Sequence, residues 1–276
     1  MTKAVTALLT TLALGSASPA LLAADAEIRA EKIRAHLEFL TDDLLEGREA
    51  GTRGYDIAAR YVASAYEQIG LKTAGTKGYF HPVPLRKSML VPKSVMMKVT
   101  SGSGKAAVVF TDADHVAARP SSTEADQTVE ADCVFAGFGI VSPEHKRDDY
   151  AGLDVRGKFV VLLGGPPPGF PAEVAGHLGS TDEQRARAAE RGAVGALIIY
   201  TPALEARWPF ERLAPIYHQP VIEWFDPTIP RDAGQDLRVS ALVDPPAGAA
   251  LFEGARRSYA DVLKEARKRA PKGFAL

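Results

Sequence analysis

The 276-residue chain has one cysteine, Cys133, and two tryptophans. A single thiol closes no internal disulfide, so stability must come from the core. Cys133 sits in the apolar run CVFAGFGIV, where a buried, inert thiol is expected rather than a nucleophile. Neither sign of charge dominates: 34 acids stand against 33 bases, for a formal net charge of −1. That balance gives no strongly basic surface for nucleic acid. Zinc motifs are missing too. None of the six histidines lies in H-E-x-x-H or has Asp two positions later, and there is no C-x-x-C. G-x-S-x-G is absent, so no nucleophile elbow is present. The nearest thing to a phosphate loop is GGPPPGF, Gly164 to Phe170, whose three prolines remove the N–H donors a phosphate needs.

Two acidic pairs and one mixed cluster remain. Asp42-Asp43 and Asp148-Asp149 read as solvated charge or helix caps. Asp112, Asp114 and His115 follow the apolar run AVVFT and read as a polar strand end rather than a metal site. No catalytic, cofactor-binding or metal-binding residue is therefore assigned.

The first residues have the form of an export signal, placed at 1–24. Lys3 supplies a positive start, Ala4 to Leu14 an apolar stretch too short to span a bilayer, and Gly15 to Ala20 with Ala23-Ala24 the small residues before cleavage. Cleavage there would leave 32 bases against 34 acids. An exported protein, periplasmic or secreted, is expected, with no membrane span after cleavage.

A helical segment is expected over 25–84. Ile33, Leu37, Leu40 and Leu44 recur at helical spacing, predicting a helix from Asp25 to Leu45. Gly47, Gly51 and Gly54 break it, and Thr52 or Asp56 can cap a second helix that stops at Gly70. Its apolar face holds Ala58, Tyr61, Val62, Ala65 and Ile69. Beyond Pro84 the pattern changes to short Val- and Phe-rich runs: VMMKVT, AVVFTD, CVFAGFGIV, FVVLLGG, GALIIYT, PVIEWF and LRVSALV. These read as strands. One clear helix interrupts them, STDEQRARAAERGA, with a cap at Ser180 or Thr181 and a stop at Gly192. SYADVLKEARKRA, capped by Ser258, makes a last helix. Together these predict a mixed α/β domain over 85–247, a helical pair before it and a helix or return linker over 248–276.

The stretch LEGREAGTRGYDIAARYVASAYEQIGL resembles the start of the mature exported zinc-dependent aminopeptidases, a family that includes glutamate carboxypeptidase-like and transferrin-receptor-like proteins. Leu45, Gly47, Arg48, Gly51, Thr52, Gly54, Ala58 or Ala59, Tyr61, Gly70 and Leu71 carry the likeness. VFAGFGIVSPEHKRDDYAGLDVRGKFVVLLGG and RARAAERGAVGALIIYTP resemble that family's protease-associated (PA) domain. The matching features are F-x-G-x-G at Phe135 to Gly139, Asp149-Tyr150, the D-x-x-G-K of Asp154 to Lys158, and A-x-x-x-G-A-x-G-A at Ala188 to Ala196. The resemblance implies a PA-type β/β/α domain after a helical pair, and a lid or protein-interaction role for it.

The family's zinc ligands follow the PA domain, beginning with His-x-Asp, and have no counterpart before the chain ends at PKGFAL. Zinc is thus expected only if a catalytic domain is supplied elsewhere. The region Gly164 to Gly179, expected to be a loop, lacks the arginines of carboxypeptidase-like members. Arg48 is expected to fix the Gly-rich bend through backbone carbonyls. Three readings stay open: a truncated or non-catalytic member whose PA domain controls substrate access or binds protein, part of a genuine aminopeptidase whose catalytic half is encoded downstream, and a stand-alone secreted peptide-binding protein. Partners would be a peptide or protein substrate, or a missing catalytic domain. The N-terminal helices offer apolar faces for self-association.

Overall fold

A computed structural model describes residues 28–101, 106–111, 114–121, 124–226, 237–268 and 271–276. The expected signal segment, Asp25 and Asp112 lie outside the described residues. The chain divides into two compact units, 1–74 and 75–276. No helix of the described residues is long and apolar enough to cross a membrane.

The first unit contains α1 (Ala30–Leu40), a 3-10 helix (Asp43–Arg48) and α2 (Arg53–Gln68). The helix expected to reach Leu45 stops at Leu40. Thr41 Oγ1 donates to the Leu37 carbonyl, and extended Asp42 turns its carboxylate back to accept from Leu44 N at 2.8 Å. Such local side-chain bonds offer the backbone an alternative to the helix. Leu44 consequently leaves the apolar stripe and is 86% exposed. Thr52 caps α2 by accepting from Tyr55 N at 3.4 Å. At its other end Gly70 N donates to Glu67 O and Leu71 N to Tyr66 O, a Schellman closure.

Phe39 stacks on Tyr61 with ring centroids 4.2 Å apart, and His36 shares a 2.8 Å hydrogen bond with the Tyr61 hydroxyl. Gly54 is buried because the chain passes so close to it that any Cβ would overlap the Leu45 carbonyl oxygen. Arg48 does not hold the bend as expected. Among the described residues its guanidinium has no hydrogen-bond partner, and Asp42, Thr52 and the Gly54–Leu45 approach fix the turn instead.

The second unit is a mixed α/β domain. In chain order it runs β1 (Leu85–Ser88), β2 (Met96–Val99), β3 (Val108–Thr111), β4 (Val116–Ala118), β5 (Cys133–Phe135), β6 (Val141–Ser142), β7 (Arg147–Asp148) and β8 (Phe159–Leu163). Then come α3 (Ala172–Leu178), α4 (Thr181–Glu190), β9 (Gly195–Ile199), α5 (Pro202–Arg207), α6 (Phe210–Tyr217), β10 (Val221–Trp224), β11 (Val239–Val243), α7 (Pro245–Ala250), α8 (Tyr259–Ala266) and β12 (Phe274–Ala275). The main sheet has the order β12-β5-β8-β9-β11-β4. β5, β8, β9 and β11 are mutually parallel, while β4 and β12 close the two edges antiparallel. Three small antiparallel pairs, β1–β10, β2–β3 and β6–β7, stand apart from it.

Parallel strands need cover on both faces, which explains why FVVLL and GALII are apolar without alternation. Successive side chains still point to opposite faces. Val161, Leu163, Leu197, Ile199, Ala241 and Val243 form one core with Leu178 of α3, Ala247 of α7 and Val262 of α8. Val160, Leu162, Ala196, Ile198 and Leu242 form the other with Ala188 of α4 and Phe210 and Ala214 of α6. Fully burying one such side chain contributes about 1.5–3 kcal/mol.

The helix at 181–190 has its cap at Ser180, which accepts from Glu183 N at 3.2 Å. Several expectations need correcting. The run CVFAGFGIV is not one strand: β5 ends at Phe135, and Ala136 to Gly139 make a tight turn before β6. The segment 164–179 is not all loop, since α3 lies within it. α3, α5, α6 and α7 join the single helix expected between the strands; all are eight residues or fewer and follow or begin at proline.

Candidate functional site

The residues of the F-x-G-x-G and Asp-Tyr motifs meet in space, and their chemistry is structural. The Asp149 side chain is 4% exposed. One carboxylate oxygen accepts from Phe138 N at 3.0 Å and Ile140 N at 3.2 Å, and the other from Arg147 Nε at 2.8 Å. Burial pushes its carboxyl above the ordinary value, against the opposing pull of Arg147 and the two backbone N–H groups. Gly137 has a φ of +58°, and a Cβ there would stand 2.8 Å from the Pro271 carbonyl and 3.0 Å from Asp149, so the turn requires glycine. Asp149 is therefore the buried anchor of this turn, neither the solvated charge nor the helix cap expected of it. Asp148 ends β7 and accepts from Tyr150 N at 2.9 Å within a turn, where no helix begins. Asp42 does behave as a cap.

The other matched motifs are also spent on folding. Asp154 accepts from Arg156 at both Nε and the backbone N, and the Arg156 side-chain bond lowers its carboxyl pKa. Gly157 N donates to Gly192 O at 2.8 Å, tying the start of β8 to the end of α4. Cys133 is half-buried in β5, and desolvation first, then Asp132, pushes its thiol up to about 11. A thiol so protonated is a poor nucleophile.

The polar strand end after β3 contributes one pair. His115 Nδ1 lies 2.7 Å from Asp244 Oδ2, and Asp244 Oδ1 caps α7 by accepting from Ala247 N at 2.8 Å. Both groups are thus engaged with protein. Among the described residues no three His, Cys, Asp or Glu side chains gather as a metal site. Zinc needs several converging ligands, and the described residues do not fit that requirement.

A different place in the second unit has the form of a binding site. Beyond the carboxyl ends of β8 and β9, a cleft of about 410 Å³ opens on the α4–α6 face of the sheet. In open sheets with parallel strands this end is where ligands bind, and the volume lies within the range of small-ligand pockets. Ile198 and Leu242 give it an apolar floor, Gly164 and Gly165 one rim, and Leu204 and Leu213 an apolar wall. Tyr200, Trp208 and Tyr217 add aromatic surface, with Thr181 and Arg207 supplying polar groups.

Local bonds hold these walls. The Tyr200 hydroxyl donates to the Trp208 carbonyl at 2.6 Å, and its ring meets Phe210 edge-on at 5.7 Å. Burial raises the Tyr200 pKa. Glu205 accepts from Phe210 N at 2.9 Å, fixing the turn between α5 and α6. Tyr217 donates its hydroxyl to Thr181 Oγ1 at 3.4 Å, joining α6 to the start of α4. Trp208 stays 51% exposed at the rim. None of these residues was singled out from sequence as a binding group; Thr181 was named only as a helix cap and Gly164 only as the start of GGPPPGF. The available signal was the density of Tyr200, Trp208, Phe210 and Tyr217 directly after a fully buried strand.

No family model matches the chain, and no curated protein matches it. Among solved structures it is similar to the aminopeptidase from Aneurinibacillus sp. strain AM-1, at 15% sequence identity and a TM-score of 0.33. The alignment covers 90% of this chain and 45% of that one, so the chain spans less than half the length of that enzyme.

Proposed function

We propose that this chain is a non-catalytic, polypeptide-binding member of the exported zinc-aminopeptidase family its sequence resembles. Residues 75–276 act as its protease-associated module, and the cleft beyond β8 and β9 receives an apolar side chain of a peptide or protein partner. The cleft carries this reading: Tyr200, Trp208 and Tyr217 with Leu204 and Leu213 offer rigid apolar surface, and aromatic residues of this kind dominate peptide and protein recognition. The spent state of the motif carboxylates and of His115 supports a module that binds rather than cleaves. Export rests on Lys3, the apolar Ala4 to Leu14 and the small residues after them.

The test is calorimetric titration of the full chain with the N-acetylated, C-amidated hexapeptide Gly-Gly-Phe-Leu-Gly-Gly. Saturable binding that falls at least about tenfold in Trp208→Ala is expected, the cost of truncating an aromatic hot spot. Absence of binding, or binding untouched by Trp208→Ala, contradicts the reading.

A further inference from the structure

The cleft holds one formal charge. Among the described residues Arg207 is the only ionisable one that lines it other than the two tyrosines, and no described Asp or Glu lines it. Among the described residues its guanidinium has neither a hydrogen bond nor an ion pair. Arg147 pairs with Asp149, Arg187 with Glu183 and Arg257 with Glu265, whereas Arg207, which is exposed, has no such partner, and neither do Arg212 and Arg267. The nearest acid in sequence, Glu205, is already committed to Phe210 N. An unpaired guanidinium beside an aromatic-lined cavity is complementary to a ligand that joins an apolar group to an anion, and its planar fork suits a carboxylate.

Size narrows the ligand. An open cleft of about 410 Å³ suits one large side chain with its backbone better than a folded surface. The apolar group and the carboxylate must therefore sit within one residue. An internal Asp or Glu offers the anion without the apolar mass. A terminal Phe or Leu offers both.

We infer that the cleft recognises the free carboxyl terminus of a peptide whose last residue is aromatic or aliphatic, with Arg207 pairing the carboxylate and Tyr200, Trp208 and Tyr217 lying against the side chain. This rests on the polypeptide-binding reading and adds the end of the chain that is bound.

The experiment titrates the full chain with N-acetylated Gly-Gly-Phe as the free acid, as its C-terminal amide, and with 3-phenylpropionate. The expected result is an affinity about fivefold higher for the acid than for the amide, the upper value of a partly exposed ion pair. Arg207→Gln should erase that preference with an unchanged melting curve, and Arg207→Lys should restore part of it. Equal binding of acid and amide overturns the inference and leaves the polypeptide reading standing. A preference that survives in Arg207→Gln removes the assignment to Arg207. Binding of 3-phenylpropionate as tight as the tripeptide acid makes the ligand a free aromatic acid and overturns the peptide terminus. Failure of both tripeptides to bind overturns the inference and the reading beneath it.

Discussion

Residues 28–74 and the sheet of the second unit use the same apolar residue types with opposite results. In β8 four of five residues are buried, and in β9 all five are. In α1 none is, although Ile33 and Leu37 hold helical spacing; they are 48% and 55% exposed. Of residues 28–74 only Leu45 and Gly54 are buried. Periodicity tells which residues share a face. Burial needs a second layer, and the parallel sheet receives one on each side from its own connecting helices.

The sharpest break in this comparison is Ile198→Asp. Ile198 is 1% exposed, near the carboxyl end of β9. A carboxylate there must shed its charge or unfold the strand, costing several kcal/mol. Thermal melting followed by circular dichroism should show a large loss, and an unchanged midpoint contradicts the buried sheet.

A smaller loss is expected from Asp149→Asn. The amide keeps an acceptor for the Phe138 and Ile140 N–H groups but cannot pair with Arg147, costing about 1–3 kcal/mol in chemical denaturation. The pH dependence has a definite sign. Because burial raises the folded pKa of Asp149 above its unfolded value, this group's contribution is greatest below the ordinary carboxylate range and is lost as pH rises through the folded pKa. The stability gap between wild type and Asp149→Asn should therefore narrow as pH rises. A widening gap would place the folded pKa below the ordinary value.

In the first unit the expected effects are local. Thr52→Ala removes the cap on Tyr55 N, a long bond at 3.4 Å. It should cost about 0.5–1 kcal/mol, read as faster amide exchange in the first turn of α2 with β8 and β9 protection unchanged. Smallest of all is Ile33→Glu on the open face of α1, expected to shift stability by less than about 0.5 kcal/mol. Its readout is association. If this face mediates self-association, light scattering should show a lower mean mass for Ile33→Glu than for wild type; equal masses remove α1 from any such contact.

Legibility from sequence follows the same division. β8 and β9 were readable because strands covered on both faces are apolar throughout, and β11 because Val and Leu dominate it despite Ser240. α4 was readable because Ser180 and Gly192 mark its ends with side-chain and backbone chemistry of their own. α3, α5 and α7 escaped notice because six or seven residues show too little of a period, and their prolines read as loop. The end of α1 was misplaced because the Leu37–Leu44 spacing outweighed the local competition from Thr41 and Asp42. Asp149 was taken for a solvated charge or a helix cap because nothing local reveals that Phe138 and Ile140 turn their N–H groups toward it. The cleft could not be read as a motif at all. Its residues arrive from four separated segments, around Gly164, Thr181, Ile198 to Tyr217 and Leu242, which only the sheet brings to one end.

The most direct test of the central claim is the map of amide chemical shifts in the full chain as N-acetylated Gly-Gly-Phe free acid is added. The account predicts saturable shifts concentrated on the amides of Gly164, Gly165, Tyr200, Arg207 and Trp208, with α1 and α2 silent. Shifts centred on residues 28–74, or none at all at saturating peptide, would contradict it.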